Sequence, residues 1–104
     1  MVSQRFWIAE ASQQVGQTVT LQGWVYGKRS SGKIRFLTVR DGSGLMQGVA
    51  VAGECDEASF SAVDRVTQES AVRVTGVVKA EPRALGGHEL GIRKVEIVSL
   101  AEPY

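Results

Sequence analysis

The sequence predicts an all-β protein, a partly open five-stranded Greek-key barrel with a short helix before the first strand and a second helix between strands three and four. Two observations carry that expectation. Five stretches alternate apolar and polar residues with the period of a strand, separated by turn residues, and the one long stretch with helical spacing falls between the third and the fourth of them.

The first element is a short helical cap at 1–16, its helix from Trp7 to Val15. Ile8, Ala11, Ser12 and Val15 recur at helical spacing there, and Gly16 follows the last apolar position. From Thr18 to Lys28, Val19, Leu21, Gly23 and Val25 share one face of a strand, with Trp24 and Tyr26 on the other. Ser30-Ser31-Gly32 is a turn, and Lys33 to Arg40 resumes the alternation with Leu37 and Val39 on one side and Ile34, Phe36 and Thr38 on the other. The two strands form a hairpin. Asp41-Gly42-Ser43-Gly44 is a second tight turn, because Asp-Gly readily adopts the backbone angles such turns need. Leu45 to Ala52 is the third strand; its faces are ambiguous, since Leu45, Val49 and Val51 share parity with the polar Gln47.

Asp56 to Val66 reads as a helix through Ala58, Ser61, Ala62 and Arg65, anchored by Phe60 and Val63. Ser70 to Lys79 alternates again through Val72, Val74, Gly76 and Val78. Pro82 and Gly86-Gly87 punctuate a loop from Ala80 to Gly87, and Glu89 to Ser99 is the fifth strand. Glu102-Pro103-Tyr104 resembles the start of a linker. This order is that of an oligonucleotide-binding (OB) barrel, and glycines at 23, 48 and 76 suit strands that must coil sharply. An SH3-like barrel does not normally insert a helix there.

A chain of 104 residues that is 43% hydrophobic and 22% charged is expected to fold as one domain, 1–104, without metals or disulfides. The single Cys55 and single His88 exclude an intrachain disulfide and cannot by themselves assemble a zinc site. Neither a secretory leader nor a membrane span is visible, so no membrane association and a cytoplasmic location are expected. The net charge of +1 is unevenly spread. Residues 28–40 hold Lys28, Arg29, Lys33, Arg35 and Arg40 with no acid before Asp41, whereas 54–69 hold five acids against Arg65. One basic and one acidic face follow if the barrel separates these runs.

No nucleophile with its base, glycine elbow or phosphate-cradling loop is present. His88 lies in a Gly-Gly-His-Glu turn as a solvated imidazole, and the acids beside Cys55 hold its thiol protonated and inert. Phe36 is more informative. It lies opposite Leu37 and Val39, so it points out of a barrel that those residues fill. There it either joins Trp24 and Tyr26 in an external aromatic cluster or stacks on an unpaired base, which contributes about 1–3 kcal/mol per base. Lys28, Arg29 and Lys33 then neutralise phosphates. Gln47 pairs with a pyrimidine edge if the third strand places it beside Phe36, and Glu89 can accept from the N1 and N2 hydrogens of guanine. Arg73 is a solvent or interface residue.

Gly23-Trp24-Val25, Lys28-Arg29, Gly32-Lys33-Ile34-Arg35-Phe36-Leu37, Arg40-Asp41-Gly42-Ser43-Gly44, Gln47, Val74-Thr75-Gly76-Val77-Val78 and Gly87-His88-Glu89-Leu90 together resemble the anticodon-binding domain of class IIb aminoacyl-tRNA synthetases. These are the enzymes for aspartate, asparagine and lysine, and the Gly-Lys-Ile-x-Phe-Leu and Arg-Asp-Gly-x-Gly runs are most similar to the asparaginyl enzymes. The resemblance implies that tRNA is the partner. In this light Phe36 stacks on the middle anticodon base, a uridine, Gln47 hydrogen-bonds to that uridine, Arg29 contacts the same region, and Glu89 serves the first anticodon letter. The loop from Lys79 to Gly87, with Lys79 and Arg83, is expected near the third letter, which separates asparagine from aspartate.

The catalytic motifs of such enzymes, a Phe-Arg-x-Glu run and a glycine-rich run ending in arginine, are missing here. The chain is therefore expected to need no cofactor itself. ATP and Mg are implied only for an absent catalytic domain, and a homodimer only for the full-length ligase. Competing readings are the corresponding aspartyl domain, a sequence-neutral single-strand binder, and a protein-interaction barrel using Phe36 and Trp24.

Overall fold

A computed structural model describes residues 6–101. The first five residues of the expected cap and the linker-like 102–104 lie outside the described residues. Five strands, β1 (Thr18–Ser31), β2 (Ile34–Arg40), β3 (Leu45–Val51), β4 (Ala71–Ala80) and β5 (His88–Ser99), close in the order β1-β2-β3-β5-β4. The helix α1 (Glu57–Arg65) stands between β3 and β4. All neighbours pair antiparallel except β3 and β5, whose parallel ladder of Gln47 with Glu89, Gly48 with Leu90 and Val49 with Gly91 closes the barrel.

The inward residues are those the alternation selected: Leu21, Val25, Leu37, Val39, Val72, Val74 and Val78 are all buried, with Leu90 and Ile92 from β5. The ambiguous third strand resolves cleanly. Met46, Gly48 and Ala50 face the core, and Leu45, Gln47, Val49 and Val51 face out. Gly76 marks a register shift against β5, where a Cβ would stand 2.4 Å from the carbonyl oxygen of Gly91; only a bare backbone can approach that closely.

Two expectations are corrected. The cap over Trp7 to Val15 is a 3-10 helix limited to Ile8–Gln13. It has no side-chain cap and buries only Ile8 and Ala11, too little for a full α-helix; the backbone leaves the helical region at Gln14, φ −121°, and turns at Gly16, φ 87°. The first strand does not stop at Lys28 but runs to Ser31, because Gly32 adopts φ 58° and lets Ser31 pair directly with Ile34 across a two-residue turn.

The turns are built as the residue types foretold. Asp41 is buried and accepts from the Ser43 amide and hydroxyl, at 2.8 and 2.7 Å, and from the Gly44 amide. Its other oxygen accepts from the Ile8 amide at 2.8 Å, so the residue that shapes the β2–β3 turn also anchors the 3-10 helix. Helix α1 starts on Asp56, whose carboxylate accepts from the Ser59 amide at 2.6 Å, and is pinned to β5 by the Ser59 hydroxyl, which accepts from the Val95 amide.

Candidate nucleic-acid interface

The cross-strand registers place the outward residues in rows. One row runs Arg29, Phe36, Val49, Gly91, Val77; the next runs Gly27, Thr38, Gln47, Glu89, Lys79. Phe36, Gln47, Glu89, Arg29 and Lys79, one from each of the five strands, therefore share one outer face. Gln47 lies diagonally across from Phe36, within reach of one base stacked on the ring.

Arg29 reaches this face through a β-bulge. Val25 pairs with Val39 and Gly27 with Thr38, so Tyr26 is an extra residue in β1. Strict alternation from Val25 would turn Arg29 inward and Lys28 outward; the extra residue reverses both. Arg29 then pairs with Phe36 and lays its guanidinium over the ring, 3.8 Å from the centroid, a cation–π contact.

Lys28 is turned off the face. Its ammonium donates to the carbonyl oxygens of Val63 and Asp64 at 3.2 and 2.7 Å, where a cation complements the negative end of α1. Arg35 joins it there, paired with Asp64 at 2.8 Å and lying 4.6 Å from the Phe60 ring centroid. The bland alternative for Phe36, a cluster with Trp24 and Tyr26, is not what forms. Trp24 pairs with Arg40, whose guanidinium lies 5.7 Å from its ring centroid, and Tyr26 occupies the bulge.

Lys33 is exposed in the β1–β2 turn, and Arg83 is exposed in the loop after β4. Lys79 belongs to the end of β4 rather than to that loop. The ion pairs among the described residues use Arg35, Arg40, Arg73 and Lys94, which leaves Arg29, Lys33, Lys79 and Glu89 outside any of them. The face thus presents cations and one carboxylate to an incoming ligand.

His88 is half-buried, its Nδ1 3.2 Å from the Gly86 carbonyl oxygen. It lines, with Ile8, Leu45, Met46 and Leu85, a groove of about 520 Å³ beside the Gln47 and Glu89 row. The Cys55 thiol is pushed up chiefly by burial and further by Asp56, so it stays protonated at neutral pH. No group of three or more His, Cys, Asp or Glu residues that could hold a metal occurs among the described residues, and no described helix is long and apolar enough to cross a membrane.

A tRNA anti-codon profile, described as an OB-fold nucleic acid binding domain, matches residues 19–98. The chain belongs to this family of OB-fold nucleic acid binding domains. The OB-fold domain is 50% identical over 97 residues to an asparagine–tRNA ligase of Desulforamulus reducens, covering 93% of this chain and 22% of that protein. An asparagine–tRNA ligase of Thermus thermophilus is 47% identical over 95 residues, 91% of this chain and 22% of its own length. The solved asparaginyl-tRNA synthetase of Pyrococcus horikoshii, complexed with asparaginyl-adenylate, superposes with a TM-score of 0.90 at 33% identity, over 99% of this chain and 24% of that one. The OB-fold domain therefore spans less than a quarter of the length of these relatives.

Some residues of the face carried no role in the sequence reading. Thr38 sits between Phe36 and Gln47 with its side chain outward, while Val49 and Gly91 form the floor between β2 and β4. Parity with Phe36 marks Thr38 from sequence alone; Val49 and Gly91 need the strand order.

Proposed function

We propose that this domain reads the anticodon loop of a tRNA as part of an asparagine–tRNA ligase, acting in the cytoplasm. The observation that carries the reading is the convergence of Phe36, Gln47 and Glu89, from β2, β3 and β5, on one outward face with unpaired cations around it. Phe36 stacks the central uridine, with Arg29 behind the ring. Gln47 supplies selectivity: its carboxamide oxygen accepts from the uridine N3 hydrogen while its NH₂ donates to a uridine carbonyl. Glu89, next to Gln47, accepts from a purine at the first letter. Arg29, Lys33, Lys79 and Arg83 neutralise phosphates and orient the strand. The names of the relatives support asparagine as the amino acid; ATP, Mg and homodimer assembly belong to the rest of such a ligase.

Stacking tolerates every base, so the decisive test is the middle letter. Cytidine offers an acceptor at N3 and a donor in place of a carbonyl, and leaving the amide mispaired costs about 1–3 kcal/mol. The domain should bind an anticodon stem-loop with a central uridine about fivefold to 150-fold more tightly than the same loop with cytidine, and Gln47→Ala should bring that ratio towards one. Equal binding of both loops by the unaltered domain would replace this reading with a sequence-neutral binder.

A further inference from the structure

The row through Phe36 crosses β5 at Gly91, the only position in that row without a side chain. Gly91 is nevertheless buried, and Lys79 covers it. A methyl group at 91 would stand 3.0 Å from Lys79 Cε and 3.2 Å from its Nζ. Lys79 is itself paired with Glu89, two residues before Gly91 on the same face of β5, so its arm leans out of its own row and onto the bare backbone of Gly91. The backbone gives no other reason for glycine here, because Gly91 is not among the positive-φ residues, and its Cβ would stand an ordinary 3.6 Å from the Val77 carbonyl oxygen. Although Glu89 faces it, Lys79 enters no ion pair among the described residues.

We infer that Gly91 is a positioning residue: by omitting a side chain it lets Lys79 lie across the sheet and deliver its ammonium to the phosphodiester beside the base stacked on Phe36. The β2 strand is two strand spacings from β5, roughly 10 Å, a gap that the ribose of a base held on Phe36 begins to cross. A compact ammonium with three rotatable donors suits a phosphate oxygen better than a planar base edge. This role rests on the anticodon-loop reading of the face.

The test titrates the central-uridine stem-loop into the unaltered domain, Lys79→Ala, Gly91→Ala and the double variant over a range of salt. Each phosphate neutralised on a single strand contributes about 0.7 to the slope of log affinity against log salt, which corresponds to about fivefold in affinity near 0.1 M salt. Lys79→Ala should lose one such increment and Gly91→Ala most of it. The double variant should bind no more weakly than Lys79→Ala, since the two changes remove the same contact. The inference is overturned if Gly91→Ala keeps the original affinity and slope, if it weakens binding equally with Lys79 already absent, or if Lys79→Ala leaves the slope unchanged. A Gly91→Ala domain that fails to fold overturns it too, because the far end of a lysine moves aside at little cost. Those outcomes leave anticodon reading standing, whereas an unaltered domain that binds no stem-loop at any salt removes both.

Discussion

Phe36 shows how one residue can matter to a site and little to a core. Its neighbours Leu37 and Val39 are buried in the barrel, while its own ring faces outward under the guanidinium of Arg29. Removing the ring forfeits a cation–π contact of about 0.5–1 kcal/mol at such an exposed site, a small part of the stability of a domain. It also removes the surface on which a base would stack, about 1–3 kcal/mol. Phe36→Ala should therefore melt within a few degrees of the unaltered domain and bind the stem-loop about fivefold to 150-fold more weakly. A variant that unfolds, with RNA affinity per folded molecule unchanged, would place Phe36 in the core. Asp41 is the counter-example. It belongs to a run that carries the family resemblance, and its carboxylate accepts from the amides of Ile8, Ser43 and Gly44, so its work is to shape the turn that Asp-Gly predicts.

At the scale of the element, α1 is held at both ends by different chemistry: Asp56 caps the first turn, Ser59 in that turn ties it to Val95, and Lys28 meets carbonyls of the last turn. The cap has a pH signature. Hydrogen bonds from Ser59 hold the Asp56 carboxyl below its usual 3.8, so the folded state binds that proton less readily than the unfolded chain. Its stabilisation is fully present above the unfolded value and is lost as pH falls through the lower folded one. Asp56→Ala should thus melt below the unaltered domain near pH 6, and the difference should shrink once pH falls below 3.8. Parallel melting curves over that range check it; a difference that stays constant into acid would mean the carboxylate is not the cap.

For the whole molecule, the parallel β3–β5 ladder is both the closure of the barrel and the frame of the site, since Gln47, Glu89, Val49 and Gly91 are all in it. Between them Gly48 faces inward, where a Cβ would stand 2.7 Å from Ile92 Cδ1. Gly48→Ala should destabilise the domain by about 1–3 kcal/mol through overpacking and weaken uridine and cytidine loops together, because it spreads the strands that align Gln47 with Glu89. Chemical denaturation with the two stem-loop titrations measures both effects. Unchanged stability, or a loss confined to the uridine loop, would show that closure and site are independent.

The sequence alone determined the element order, the β2–β3 turn and most of the core, because alternation with period two and Asp-Gly chemistry are local properties that each strand or turn expresses by itself. It also put Phe36 outward, since Leu37 and Val39 flank it with clear parity. The tertiary structure decided the rest of the face. Whether Gln47 pointed out depended on Met46 and Ala50 winning the interior. Whether Arg29 or Lys28 reached Phe36 depended on one extra residue at Tyr26, which no composition announces, because a bulge is a property of two paired strands. The meeting of Gln47 with Glu89 required β3 and β5 to close the barrel, and no stretch of sequence carries the register between strands forty residues apart; the approach of Lys79 to Gly91 required the register of β4 on β5.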